Sequence, residues 1–157
     1  MLRAGKQGTE EHTRSVIGHL EKTVLDCPDP RALATFYCEV LGMQVNQDLG
    51  DWTVIGRGPD RRDLAFQRVH DYSPPTWPQT GQPQQMHLDI RVQDPDRAEA
   101  ELLRLGARRR PTAAEAVHGS FRTFVDPAGH PFCIVFGRPP RGLSAEGQTL
   151  APTSPSA

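Results

Sequence analysis

Two stretches of the chain carry apolar residues at helical spacing, and each is bracketed by the same start and stop. In the first, Leu33, Phe36, Tyr37, Val40 and Leu41 fall at i, i+3, i+4, i+7 and i+8, a single apolar stripe. Asp29-Pro30 opens it. An aspartate there can accept from the orphan amides of the first turn, and proline is tolerated at the first helical position. Gly42 then supplies the left-handed residue that ends the helix. The second stretch has Asp94-Pro95, a stripe of Ala98, Leu102 and Leu105, and Gly106.

Strand-like runs surround both helices. Leu20 to Asp26 precedes the first, and Met43 to Asn46, Trp52 to Ile55 and Leu64 to Val69 follow it. Met86 to Val92 precedes the second, and Ala107 to Arg110, Ser120 to Val125 and Phe132 to Phe136 follow, the last two joined by the turn Asp126-Pro127-Ala128-Gly129. The order is β-α-β-β-β twice, and Asp29-Pro30 recurs as Asp94-Pro95 after 65 residues. Repetition at that scale predicts a duplicated supersecondary unit and an α+β fold. Module one should span about 18–70, a linker loop 71–85, and module two 86–137. The polar, aperiodic residues 1–16 and the Pro-, Gly-, Ser- and Ala-rich residues 138–157 are expected to form flexible tails.

Composition narrows the function. A chain of 157 residues suits one domain. Its 18 basic and 19 acidic residues are interleaved with no basic stripe, which argues against nucleic acid. Cys27, Cys38 and Cys133 are an odd set without a C-x-x-C pair, so reduced thiols in a cytoplasmic protein are expected. No run approaches the roughly 20 apolar residues that span a bilayer, and Met1 to Ser15 lacks the apolar core of a signal peptide.

The segments VLDCPDPRALATFYCEVLGMQV, MHLDIRVQDPDRAEAELLRLGA and FVDPAGHPFCIV resemble the vicinal oxygen chelate superfamily, in particular its glyoxalase-like and bleomycin-resistance-like domains. The likeness covers roughly residues 18–137. It implies two β-α-β-β-β modules whose mixed sheet curls around a shared cavity. It also implies metal ligands at equivalent strand positions of both modules, drawn from His, Glu or Gln. Those positions fall on Lys22, Gln67, His87 and Cys133.

His87 clearly keeps a ligand's chemistry, and Gln67 and Cys133 could join it on a soft metal, but that trio beside Lys22 is not a familiar catalytic arrangement. A protonated lysine repels a divalent cation and has no free lone pair. Cys133 stands where relatives carry glutamate. The four positions are therefore expected to be vestigial, with no cofactor, and a divalent metal is the alternative.

Strand alternation puts His87, Asp89 and Arg91 on one face and Leu88, Ile90 and Val92 on the other. Lys22, Val24 and Asp26 share the matching face of the first strand. His87 and Asp89, at i and i+2, form a candidate acid/base pair or an ordinary electrostatic contact. Lys22 and Asp26 are candidates to clamp a ligand's charges. Tyr72 and Trp77, on the proline-stiffened linker, are candidate pocket walls, and Trp52 can stack on a ligand or fill the core. The expected ligand-binding set is Lys22, Asp26, Trp52, Gln67, Tyr72, Trp77, His87, Asp89 and Cys133.

Three functions follow. The first is a metal-free protein that binds a small organic molecule between the modules. The second is a lyase, isomerase or dioxygenase, using a metal or the His87–Asp89 pair. The third is a homodimeric interaction module.

Overall fold

The computed structural model describes residues 17–79 and 81–137; the tails expected at residues 1–16 and 138–157 lie outside the described residues. Module one consists of β1 (Thr23–Cys27), α1 (Pro30–Leu41), β2 (Gln44–Asp48), β3 (Trp52–Gly56) and β4 (Leu64–Arg68). Module two consists of β5 (Leu88–Arg91), α2 (Pro95–Arg104), β6 (Arg108–Arg109), α3 (Ala113–His118), β7 (Phe121–Val125) and β8 (Pro131–Val135).

Both long helices start and stop by the expected chemistry. Asp29 Oδ1 accepts from the Ala32 amide at 3.1 Å, and Asp94 Oδ1 accepts from the amides of Asp96 and Arg97 at 3.1 and 3.0 Å. Gly42 and Gly106 have φ of +64° and +100°. Beyond each glycine the next amide turns back into the helix, Met43 to the Cys38 carbonyl and Ala107 to that of Leu102. These bonds satisfy carbonyls that a helix end leaves orphaned. Asp94→Ala is expected to cost about 1 kcal/mol, the usual value of such a cap. Urea denaturation of wild type and variant measures it, and an unchanged midpoint would show the cap contributes nothing.

The short α3 was not anticipated. Thr112 makes no side-chain cap bond to it, so local sequence holds its start weakly. Tertiary contacts hold it instead. Glu115 pairs with Arg109 at 2.9 Å and accepts from the Thr123 amide of β7 at 2.8 Å. The carboxyl of Glu115 is penalised by burial, but these donors outweigh that and keep it below the ordinary range.

The strands form two four-stranded mixed sheets, ordered β1-β4-β3-β2 and β5-β8-β7-β6. In each sheet the first strand pairs in parallel with the last, and the remaining pairs are antiparallel. The sheets do not close into a barrel. β1 and β5 each lie at one edge of their sheet.

One core runs through both modules. The α1 stripe buries Leu33, Ala34, Phe36 and Tyr37. Tyr37 stacks on Phe66 of β4, with centroids 5.6 Å apart, while Phe36 meets Phe132 of β8 edge-on at 6.1 Å. Phe132 in turn stacks on Phe124 of β7 at 5.6 Å. A helix of module one is thus wedged against both sheets. The alternate face of β5 behaves as its periodicity requires: Leu88 and Ile90, with Val92 just beyond the strand, pack against this core.

Candidate functional site

The edge strands β1 and β5 bound a cavity of about 280 Å³ at the seam. Its apolar wall comes from Val24, Leu25, Met86, Leu88, Pro75 and Pro131. Its polar groups are on Asp26, Tyr37, Tyr72, Ser73, Gln85, His87 and His130. An apolar surround with a few convergent polar groups is the usual make-up of a small-molecule site. A hollow of about 390 Å³ is larger, but it is lined by Leu20, Glu21, Lys22 and Asp60 to Asp63, nearly all charged. It has little apolar wall to take an organic body, so the seam cavity is the better candidate.

The floor of the cavity is a buried network that sequence reasoning missed. Asp126, wholly buried, opens the turn before β8. Its Oδ1 accepts from the amides of Ala128 and His130, both at 2.9 Å. Its Oδ2 accepts from the Tyr37 hydroxyl at 3.0 Å and faces His130 Nδ1 at 2.8 Å. Two backbone amides and the Tyr37 hydroxyl thus donate to one side chain, with His130 as its fourth polar neighbour.

The other ring nitrogen, His130 Nε2, lies 2.8 Å from the Asp26 carbonyl oxygen of β1. That oxygen can only accept, so Nε2 carries a proton, and Nδ1 carries one for Asp126. Both ring nitrogens face acceptor oxygens, an arrangement that favours the imidazolium against the buried Asp126 carboxylate. Its nearest further neighbour is the Tyr72 hydroxyl, 3.0 Å from Nε2.

The surrounding charges act in the same sense. Burial pulls the His130 imidazole down, but the hydrogen bond and charge of Asp126, with the Asp26 carbonyl, outweigh it and the net is upward. Burial, with Asp126 adding to it, pushes the Tyr37 hydroxyl well above its ordinary range. The Tyr72 hydroxyl is raised by the same causes in the same order, with Cys27 and Asp26 contributing. Both phenols remain proton donors.

Linkage fixes the sign of the pH effect. A raised imidazole stabilises the fold fully below its unfolded pKa of about 6.5, and that contribution is lost as pH rises through the folded value. Melting temperatures from pH 6 to 9 should fall for wild type relative to His130→Asn. A constant gap between the two curves would contradict the charged pair.

The linker reaches this floor because the turn leaves room for it. Gly129 has φ +98°, and a Cβ there would sit 2.6 Å from Pro74 Cβ. The proline packs where only glycine fits. Tyr72 follows it into the seam cavity, whereas Trp77 lines a separate hollow with Arg108, Arg110 and Val125.

A second group lies on β5 and β8. His87 Nε2 is 3.4 Å from Asp89 Oδ1, and Gln84 Nε2 is 2.9 Å from His87 Nδ1. Cys133 stands directly across the parallel ladder from Asp89, and the donor atoms of all three lie within 4.8 Å of one another. Imidazole, carboxylate and thiol together suit a borderline-soft divalent ion such as zinc. Burial raises the Cys133 thiol, partly offset by its contact with Thr123 Oγ1 at 3.7 Å.

Module one offers no counterpart. Lys22 precedes β1 as His87 precedes β5, and its ammonium pairs with Glu21 at 3.1 Å. Val24 and Ala65 face each other where module two has Asp89 and Cys133. Gln67 stands exposed, in register with Asp26 and Trp52. Of the four positions implied by resemblance, His87 and Cys133 come together, while Lys22 lines the charged hollow and Gln67 faces solvent.

The profile of the family described as Glyoxalase-like domain matches residues 22–135. The chain belongs to that family. This glyoxalase-like protein shares the vicinal oxygen chelate fold with solved structures at low identity. Fosfomycin resistance protein FosX from Mesorhizobium loti superposes with a TM-score of 0.55 at 15% identity, covering 78% of this chain and 94% of that one. The glyoxalase family protein from Enterococcus faecalis gives 0.55 at 20%, covering 76% and 98%. Glyoxalase I from Leishmania major gives 0.53 at 20%, covering 76% and 86%. These likenesses establish the fold alone. No curated protein matches the glyoxalase-like chain in sequence. Among the described residues no helix is long and apolar enough to cross a membrane.

Proposed function

We propose that this glyoxalase-like protein binds a small organic molecule in the seam cavity between its modules, using apolar contacts and protein hydrogen bonds. The observation that carries this is the lining: aliphatic side chains of β1 and β5 on the walls, with Tyr72, His87 and His130 converging among them. A thermal-shift screen of small organic compounds tests it, because a ligand that binds only the native state raises the melting temperature with concentration. Hits should lose their effect in Val24→Trp, which fills the cavity from a partly exposed wall position. Hits that stabilise wild type and Val24→Trp equally, or a screen without hits, would overturn the reading.

A second reading rests on the convergence of His87, Asp89 and Cys133: a divalent cation held on module two. Such an ion would supply Lewis-acid chemistry beside the cavity that His87 lines. Titration with Co²⁺ discriminates, since cobalt bound to a thiolate gives a charge-transfer absorption. The band should be present in wild type and absent in Cys133→Ser and His87→Ala if this reading holds. No band at stoichiometric cobalt leaves the metal-free reading standing.

A further inference from the structure

The proton positions in the cavity floor define what kind of ligand the cavity accepts. His130 Nε2 donates toward the Asp26 carbonyl and the Tyr72 oxygen, which lie 2.8 and 3.0 Å away. Tyr72 is therefore the acceptor in its contact with His130, and its own proton has no acceptor among the described residues. A half-buried phenol in a cavity wall, with its lone pair occupied and its proton unspent, is a donor waiting for an acceptor. The imidazolium behind it polarises the O–H bond and strengthens what it can donate.

Charge accounting sets the second condition. The cation of His130 is matched by the buried carboxylate of Asp126. The His87 imidazole faces the Asp89 carboxylate, 3.4 Å away. The Asp26 carboxylate, also on the lining, makes no close ion pair among the described residues; it shares the charge of His130 with Asp126, so two carboxylates face one cation. The cavity thus offers a hydrogen-bond donor in a negative field. An anionic ligand would gain the Tyr72 bond but meet the repulsion of Asp26.

We propose that the seam cavity selects uncharged small molecules that present a carbonyl-type acceptor oxygen to the Tyr72 hydroxyl, and disfavours carboxylates. The inference rests on the cavity being a ligand site, and its test separates the two ideas. NMR titration of the full-length protein with benzamide, benzoate and toluene provides a matched series: a neutral acceptor, an anionic acceptor and no acceptor. Benzamide should shift resonances of cavity residues and bind at least about tenfold more tightly than benzoate, a difference expected from one like-charge contact at the protein surface. Tyr72→Phe should weaken benzamide by about threefold to tenfold, the worth of one neutral hydrogen bond. Asp26→Asn should strengthen benzoate and leave benzamide unchanged. Benzoate binding as well as benzamide, toluene binding as well as benzamide, or Tyr72→Phe retaining wild-type affinity would each overturn the inference while leaving the cavity a ligand site. If none of the three shifts a cavity resonance, the ligand-site reading falls and the inference with it.

Discussion

Asp126→Ala is expected to destabilise the protein by about 3–5 kcal/mol, the loss seen when one partner of a buried ion pair is removed. The carboxylate accepts from two turn amides, from Tyr37 and from His130, so alanine strands four donors at once. One of them is the part-buried His130 imidazole, whose protonated form the carboxylate favours, which is why the expected cost exceeds that of a neutral hydrogen bond. The two modules also lose a shared fastening, because Tyr37 belongs to α1 and Asp126 to the turn before β8. Urea denaturation gives the free energy. The double variant Asp126→Ala/His130→Ala should be less unstable than the sum of the single losses, since removing His130 removes the stranded charge. A loss below about 1 kcal/mol, or strict additivity, would show that Asp126 and His130 are not a coupled pair.

Phe132→Ala should cost a similar amount, about 3–5 kcal/mol, through a different mechanism. Phe132 is fully buried and touches Phe36 and Tyr37 of module one as well as Phe124 of module two. Truncation removes apolar surface from the core and leaves a void where rings from both modules meet. The surrounding aromatics cannot collapse into it without moving α1. Against a typical total stability of about 5–15 kcal/mol, either substitution is a large fraction. Phe132→Leu should recover much of the loss by refilling volume. Equal instability of the leucine and alanine variants would argue that ring geometry, rather than volume, sets the cost.

The helices and strands were legible because their causes are local. The Asp-Pro starts, the glycine stops and the 3.6-residue stripes of α1 and α2 act within a few residues of chain. The short α3 was not legible. It lacks a side-chain cap and is tied down by Glu115 reaching Arg109 and β7, contacts that no local pattern announces. The alternation that placed His87 and Asp89 on one strand face carried through to a contact between them. Cys133 joined them only through the register of β8 against β5.

The floor of the cavity shows the limit most clearly. Asp126 and His130 stood in the sequence as parts of a D-P-A-G-H turn, and a turn accounts for aspartate and glycine without invoking a site. What favours a proton on His130 Nε2 is the acceptor carbonyl of Asp26, 104 residues away along the chain. Likewise Tyr72 and Trp77 were equal candidates on one loop. The docking of Pro74 over Gly129 sent Tyr72 to the seam and Trp77 to another hollow.

By itself the sequence determined the strands and the two long helices, their β-α-β-β-β order in each half and the faces that must be buried, because capping, periodicity and turn chemistry are short-range. Which polar groups meet was decided only by the tertiary structure. The wedging of α1 against both sheets and the placing of β1 beside the turn before β8 set the protons of His130 and turn Tyr72 into a donor. Those contacts depend on packing and strand register, which act between residues too far apart in the chain for any local pattern to record.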